Sequence, residues 1–184
     1  PAWGRFKPRT RPVIGNHEYV TPGAAPYFAY FGASAGEPGK GYYSFDIGSW
    51  HVAVLNSNCT LAGGCAAGSP QATWLQADLA ASTKPCILAA WHHPLFTSAA
   101  VYDGKSEVIP LWQILQAAGA DVVLNGHAHG YERFARQLAG RACIVTETIS
   151  AGRGKVRIDD TEWAAEGADT PAGSLPYGDQ RRLE

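Results

Sequence analysis

The 184 residues include no methionine. A chain that begins at Pro1 without one reads as a processed form or a fragment of a longer open reading frame. No secretory leader is visible, and no apolar run is long enough to span a bilayer. Charge is scarce: Asp, Glu, Lys and Arg make up 17% of the residues and the formal net charge is -1. That balance argues against a broad basic face for nucleic acid and against docking on an anionic membrane. Hydrophobic residues reach 46%, so the low charge describes a globular chain with a real core, of a length that suits one domain.

Cysteine is also sparse, and none of the four has the Cys-x-x-Cys spacing of a zinc ribbon. Cys59 and Cys65 bracket a short glycine-rich loop, Thr60 to Gly64. They are expected to form a small-loop disulfide in an oxidising compartment. Cys86 and Cys143 lie in apolar, strand-like segments and are expected to be buried thiols.

What the chain does have is histidine in a pattern. Five of its six histidines fall in three short motifs, each after an apolar stretch. They are Gly15-Asn16-His17-Glu18, Trp91-His92-His93-Pro94 and Asn125-Gly126-His127-Ala128-His129. Alternate residues of an extended segment point the same way, so His127 and His129 are expected to converge on one point. Neutral imidazole is the commonest protein ligand for a metal ion, and the recurrence of the motifs favours a metal role. His51, outside the motifs, is expected to be an ordinary strand residue.

Along the chain, residues 1–12 read as an irregular approach whose basic residues form a solvated face. Pro12-Val13-Ile14 reads as the tail of a strand, and Thr21 to Gly41 as a long ordered loop packed down by its aromatics. Tyr42 to Ile47 and His51 to Leu55 read as two strands joined by a Gly48-Ser49 turn. A helix is expected from Ser69 as N-cap and Pro70 at its first position, with Trp74, Leu75, Ala77 and Leu79 as its buried stripe. Cys86 to Trp91 reads as a strand covered on both faces. A second helix is expected from about Pro110, with Leu111, Ile114, Leu115 and Ala118 on one face, ending at Gly119. The strand Asp121 to Leu124 follows, and Ala142 to Ile149 reads as one more. Strand and helix alternate, which describes an α/β fold with crossover connections. In such sheets function collects at the carboxyl ends of the strands, where all three histidine motifs fall.

Asn16 offers a neutral carbonyl oxygen, His92 and His127 offer nitrogens, and His129 lies beside them. One oxygen with two imidazoles suits a borderline ion such as zinc, manganese or iron. His17 cannot easily share that ion with its neighbour Asn16, and is better placed to donate to a phosphoryl oxygen or a leaving group. Taken alone, Gly15-Asn16-His17 would equally be an ordinary turn.

The three motifs in this order, with the extension Gly130-Tyr131-Glu132-Arg133, resemble the calcineurin-like metallophosphoesterases. The Tyr-Glu-Arg extension most resembles the purple acid phosphatase branch, particularly its secreted bacterial members. The likeness covers roughly residues 3–135. It implies an α/β fold of the layered α/β/β/α sandwich kind, incomplete at its N-terminal strands. It implies that Asn16, His92 and His127 hold one metal (zinc, iron or manganese), that His129 helps hold a second, and that His17 contacts substrate phosphate. His93 has no ligand role in that pattern. The family's upstream Asp-x-Gly and Gly-Asp-x-x-Tyr motifs are not in this chain, so one site keeps most of its ligands and the other keeps His129 alone.

The implied domain spans residues 1–149, followed by a polar tail over 150–184. The implied function is a metal-dependent phosphoesterase that hydrolyses small phosphate esters by attack of metal-bound hydroxide, located in an extracellular or periplasmic space. The alternatives are a metal-binding remnant without turnover, and a mononuclear zinc hydrolase of other specificity. A sheet lacking its first strands exposes an edge, which is expected to be hidden by self-association into a homo-oligomer or by rearrangement, with Ala142 to Ile149 or the tail in the vacant place.

Overall fold

A computed structural model describes residues 4–98, 104–129, 132–134, 137–139 and 142–148, the last two segments as backbone only. The polar tail expected over 150–184 lies outside the described residues. Strands β1 (Tyr43–Ile47) and β2 (Trp50–Val54) form an antiparallel hairpin in which Ile47 faces Trp50, so Gly48-Ser49 is the two-residue turn the sequence predicts. From β2 the chain crosses over helix α2 (Pro70–Ala81) to β3 (Cys86–Trp91), then over α3 (Ile109–Ala117) to β4 (Val122–Asn125). Both new pairings are parallel, as crossover connections require. Beyond β4 lies β7 (Ala142–Thr148), also parallel, with the short strands β5 (Glu132–Arg133) and β6 (Gln137–Ala139) antiparallel to it. The result is a mixed sheet in the order β1-β2-β3-β4-β7-β5, with β6 branching from β7. No helix among the described residues is long and apolar enough to cross a membrane.

The helix ends follow their local chemistry. Ser69 Oγ accepts from the Ala72 amide at 3.3 Å, and Pro70 follows at the first helical position, where its missing N–H removes no bond. At the end of α3, Gly119 takes φ 77, and Gly119 N–H and Ala120 N–H reach back to Gln116 and Leu115 carbonyls. This is a Schellman close, which a side chain at position 119 would strain. The buried stripes differ from the sequence expectation. In α2 Ala77 is exposed and Gln71 and Ala72 are buried, because Ala77 lies two residues from Leu75 and so turns away from the face shared by Ala72, Leu75 and Leu79. In α3 Ala118 is exposed and Trp112 is buried, edge-on to Trp91 at 6.3 Å. These residues and Leu55, Val108 and Val123 form the main core. A fully buried leucine or valine contributes about 1.5–3 kcal/mol.

Several other expectations are corrected. Residues Gly4–Arg9 form a 3-10 helix rather than an irregular approach, and its cations are not simply solvated: Arg5 lies 4.6 Å from the Phe6 ring and Lys7 4.5 Å from Tyr30. Pro12-Val13-Ile14 has no ladder partner among the described residues and is not a strand. It is held instead by Tyr27 and Tyr43, whose hydroxyls both donate to the Pro12 carbonyl. The 21–41 segment contains a short helix, α1 (Ala25–Phe31), set off by Pro26; Tyr27 and Phe28 on it pack with Ile14 into a second, smaller core. Cys59 and Cys65 are joined as expected. Cys86 is half-buried rather than buried, and the Cys143 side chain lies outside the described residues.

His51 is not an ordinary strand residue. It is buried, and its two ring nitrogens meet two carboxylates, Asp46 Oδ1 on β1 at 2.8 Å and Asp78 Oδ2 on α2 at 2.9 Å. An ionised carboxylate can only accept, so the ring donates to both acids at once only when both nitrogens carry protons, as an imidazolium. Ser44 Oγ donates to the other Asp78 oxygen, and Lys84 Nζ lies 3.9 Å from Asp46. Burial of the ring opposes its charge, but the hydrogen bonds and charges of Asp46 and Asp78 outweigh that, and its pKa rises above 6.5. A group raised on folding stabilises fully below its unfolded pKa and loses that contribution as pH climbs through the folded value. Urea unfolding should therefore show stability falling as pH rises above about 6.5. In His51→Ala this pH dependence should vanish and stability at acid pH should drop by about 1–3 kcal/mol.

Candidate metal centre

Two of the three histidine motifs follow strands, and Asn16 of the first motif meets them at the carboxyl end of the sheet. Gly15 closes the first loop, its amide donating to Glu18 Oε2 at 2.9 Å, and His17–Val20 turn as a 3-10 helix. The turn reading is realised, and the Asn16 side chain faces His92 from it. His92 follows β3 and His127 follows β4, whose last pair, Trp91 with Asn125, sets the two loops side by side. Asn16 Oδ1 lies 2.8 Å from His92 Nε2, and His127 Nδ1 lies 3.1 Å from the same nitrogen.

His127 does not reach this point by strand alternation. β4 ends at Asn125, and His127 takes φ 64, with Ala128 N–H donating to the Gly126 carbonyl at 2.8 Å. A hydrogen bond spanning three residues at positive φ is a strained turn, and the left-handed region costs a non-glycine residue about 1–2 kcal/mol. His127 and His129 therefore do not share a strand face as expected. His129 and His17 are both exposed. Each is close enough that its positive charge would act on His92 and His127.

Electrostatics keep the inner rings neutral. Burial first, and then the neighbouring His127, push His92 down to about 4. Burial, followed by His92, His127 and Lys105, pushes His93 down to about 3. His127 is lowered by burial and by the charges of His129, His17 and Lys105. A neutral imidazole retains the lone pair that a metal ion needs.

Sequence reasoning missed the residues that hold this arrangement. One residue past β2 come Asn56, Ser57 and Asn58, all buried. Asn58 Nδ2 donates to the Gly15 carbonyl, and Asn56 Nδ2 donates to Tyr19 Oη and to the Lys40 carbonyl. Ser57 Oγ accepts from the His93 amide at 2.9 Å. Gln71, fully buried on α2, closes two bonds with the Asn56 backbone. The available signal was three polar residues immediately past the carboxyl end of an apolar strand, the same rule that picked out the histidines. His93 also sits closer to the site than the family pattern suggests. Its ring centroid is 4.9 Å from that of His92 and 4.5 Å from that of His127.

The calcineurin-like phosphoesterase family model matches residues 2–131. The chain belongs to that family. Among the chain's relatives is purple acid phosphatase 15 of Arabidopsis thaliana, 29% identical over 149 residues, covering 71% of this chain and 27% of the relative. Purple acid phosphatase 22 of the same plant is 36% identical over 106 residues, covering 55% of this chain and 24% of the relative. The chain thus spans about a quarter of the length of these two relatives. In fold it is similar to the purple acid phosphatase PPD1 from yellow lupin (Lupinus luteus) seeds, with a TM-score of 0.63, 19% identity, and coverage of 78% of this chain and 28% of that one. The family implies divalent or trivalent metal ions.

The donor set fits such an ion. Zinc binds nitrogen at about 2.0–2.1 Å in tetrahedral sites, which spaces neighbouring donors about 3.3 Å apart. The observed 2.8 and 3.1 Å separations need only small outward movements to match. Because Gln71 supports the loop that ties these elements together, Gln71→Ala should cost about 1–3 kcal/mol in urea unfolding, the penalty for leaving the Asn56 amide and carbonyl unpaired in the core.

Proposed function

We propose that this phosphoesterase-family chain hydrolyses phosphate esters at a centre in which Asn16, His92 and His127 hold a divalent or trivalent ion. Zinc, iron and manganese all suit one neutral oxygen with two imidazoles. The observation that carries the reading is the meeting of Asn16 Oδ1, His92 Nε2 and His127 Nδ1 within hydrogen-bonding distances, at the cost of a strained His127. Strain of that kind persists where the surrounding structure enforces it, commonly at functional sites.

When bound, the ion supplies an acidified water and neutralises charge on the phosphoryl oxygens. The remaining work belongs to the chain. Asn16 orients its carbonyl from the start of a tight turn, while burial lowers the proton affinity of His92 and His127. His17, exposed at the rim and one residue from Asn16, donates to a phosphoryl oxygen or to the leaving group. His129, exposed beside His127, contributes to a second ion. The substrate is a small phosphate ester, a monoester by family likeness. The Cys59–Cys65 disulfide supports an oxidising location, extracellular or periplasmic. β1 pairs only with β2 among the described residues, and a homo-oligomer would form through such an edge.

Metal analysis of the purified chain, paired with hydrolysis of a chromogenic phosphate monoester, tests the reading. His92→Ala should lose the ion and the activity together. His17→Ala should keep the ion and lose about 10²-fold or more in kcat. An ion bound without any turnover would leave only a metal-binding remnant. Esterase activity without preference for phosphate would point to a mononuclear hydrolase. A chain that takes up no ion at all would defeat the proposal.

A further inference from the structure

The polar residues beside the ligand set raise the question of what His93 does. Its place next to His92 would ordinarily turn it away, since adjacent residues of an extended chain face opposite sides. Here the chain bends after β3, and the three rings of His92, His93 and His127 form a triangle with centroids 4.9, 5.0 and 4.5 Å apart. One donor nitrogen from each of the three lies within 4.8 Å of the others. Among the described residues this is the one group of three histidine, cysteine or carboxylate side chains gathered so closely.

We propose that His93 is a ligand of the same ion as Asn16, His92 and His127, bound through Nε2 and aimed by Ser57. This rests on the metal-site reading above. His93 Nδ1 lies 2.9 Å from Ser57 Oγ, which also accepts the His93 backbone N–H at 2.9 Å. The hydroxyl therefore grips the residue at both ring and backbone. Ser57 is fully buried and cannot act as a nucleophile towards a substrate. Its chemistry suits an orienting partner: with Nδ1–H donating to Oγ, Nε2 keeps its lone pair for the ion. A metal-bound histidine typically uses its other ring nitrogen in this way. The resulting set is three nitrogens and one oxygen, and a water joining these four donors makes the ion five-coordinate, a number that catalytic zinc also adopts. All four are neutral, so the ion's full charge is left to act on an anionic phosphate.

Equilibrium dialysis against Zn²⁺ and nitrogen-15 spectra of the imidazoles in the full chain test the assignment. One equivalent of Zn²⁺ should shift ring nitrogens of three inner histidines, with the His93 signal identified by its loss in His93→Gln. That variant should bind Zn²⁺ at least tenfold more weakly, and Ser57→Ala about tenfold more weakly. The spectra of the wild-type chain decide the matter even where a variant folds poorly. His93 ring nitrogens unmoved by Zn²⁺, with unchanged affinity in His93→Gln, would overturn the inference and leave the proposed function standing. A wild-type chain that binds no Zn²⁺, iron or manganese would overturn both.

Discussion

Asn56 is fully buried, yet every polar atom it has is matched within the protein. Its amide and carbonyl pair with Gln71, its side-chain nitrogen serves Tyr19 and Lys40, and its side-chain oxygen accepts from Asn58. In a region of low dielectric such a network is costly to break at any one point and rigid when complete. The rest of the site depends on it. The loop carrying Asn16 follows a segment with no strand partner among the described residues, so it cannot borrow rigidity from the sheet. It takes its position from Asn58, from the tyrosines gripping Pro12 and from the small core around Ile14.

The other two loops are placed differently. His92 and His127 leave adjacent parallel strands whose register is set by the ladder, and the Gly126 amide donates to the His92 carbonyl at 2.9 Å. The sheet thus positions two of the candidate ligand loops, and the polar residues after β2 help hold the third. Gly15 shows how close the fit is. A Cβ there would come within about 3.0 Å of the His92 ring and of Glu18 Oε2. The backbone can approach that ring only because the side chain is missing.

At the opposite end of the hairpin, His51 plays a purely internal part. It joins β1, β2 and α2 through two carboxylates, a clamp strongest when the ring is charged. The sixth histidine therefore lies outside the candidate metal centre.

Local signals were legible wherever backbone preference or a short loop decided the outcome. These include the Gly48-Ser49 hairpin, the Ser69-Pro70 helix start, the Gly119 helix end, the Cys59–Cys65 bridge and the α/β order. The family likeness, and through it the identity of the candidate ligands, also came from short motifs. What the chain alone could not reveal was direction. The ring of His127 points through a left-handed turn rather than along a strand, His93 swings in beside its neighbour, and His51 finds acids 5 and 27 residues away. Asn16 meets His92 across 76 residues, and Asn58 meets Gly15 across 43. Such contacts are set by packing and by hydrogen bonds between distant segments, which neither periodicity nor spacing records. They exist only once the sheet has brought its loops together.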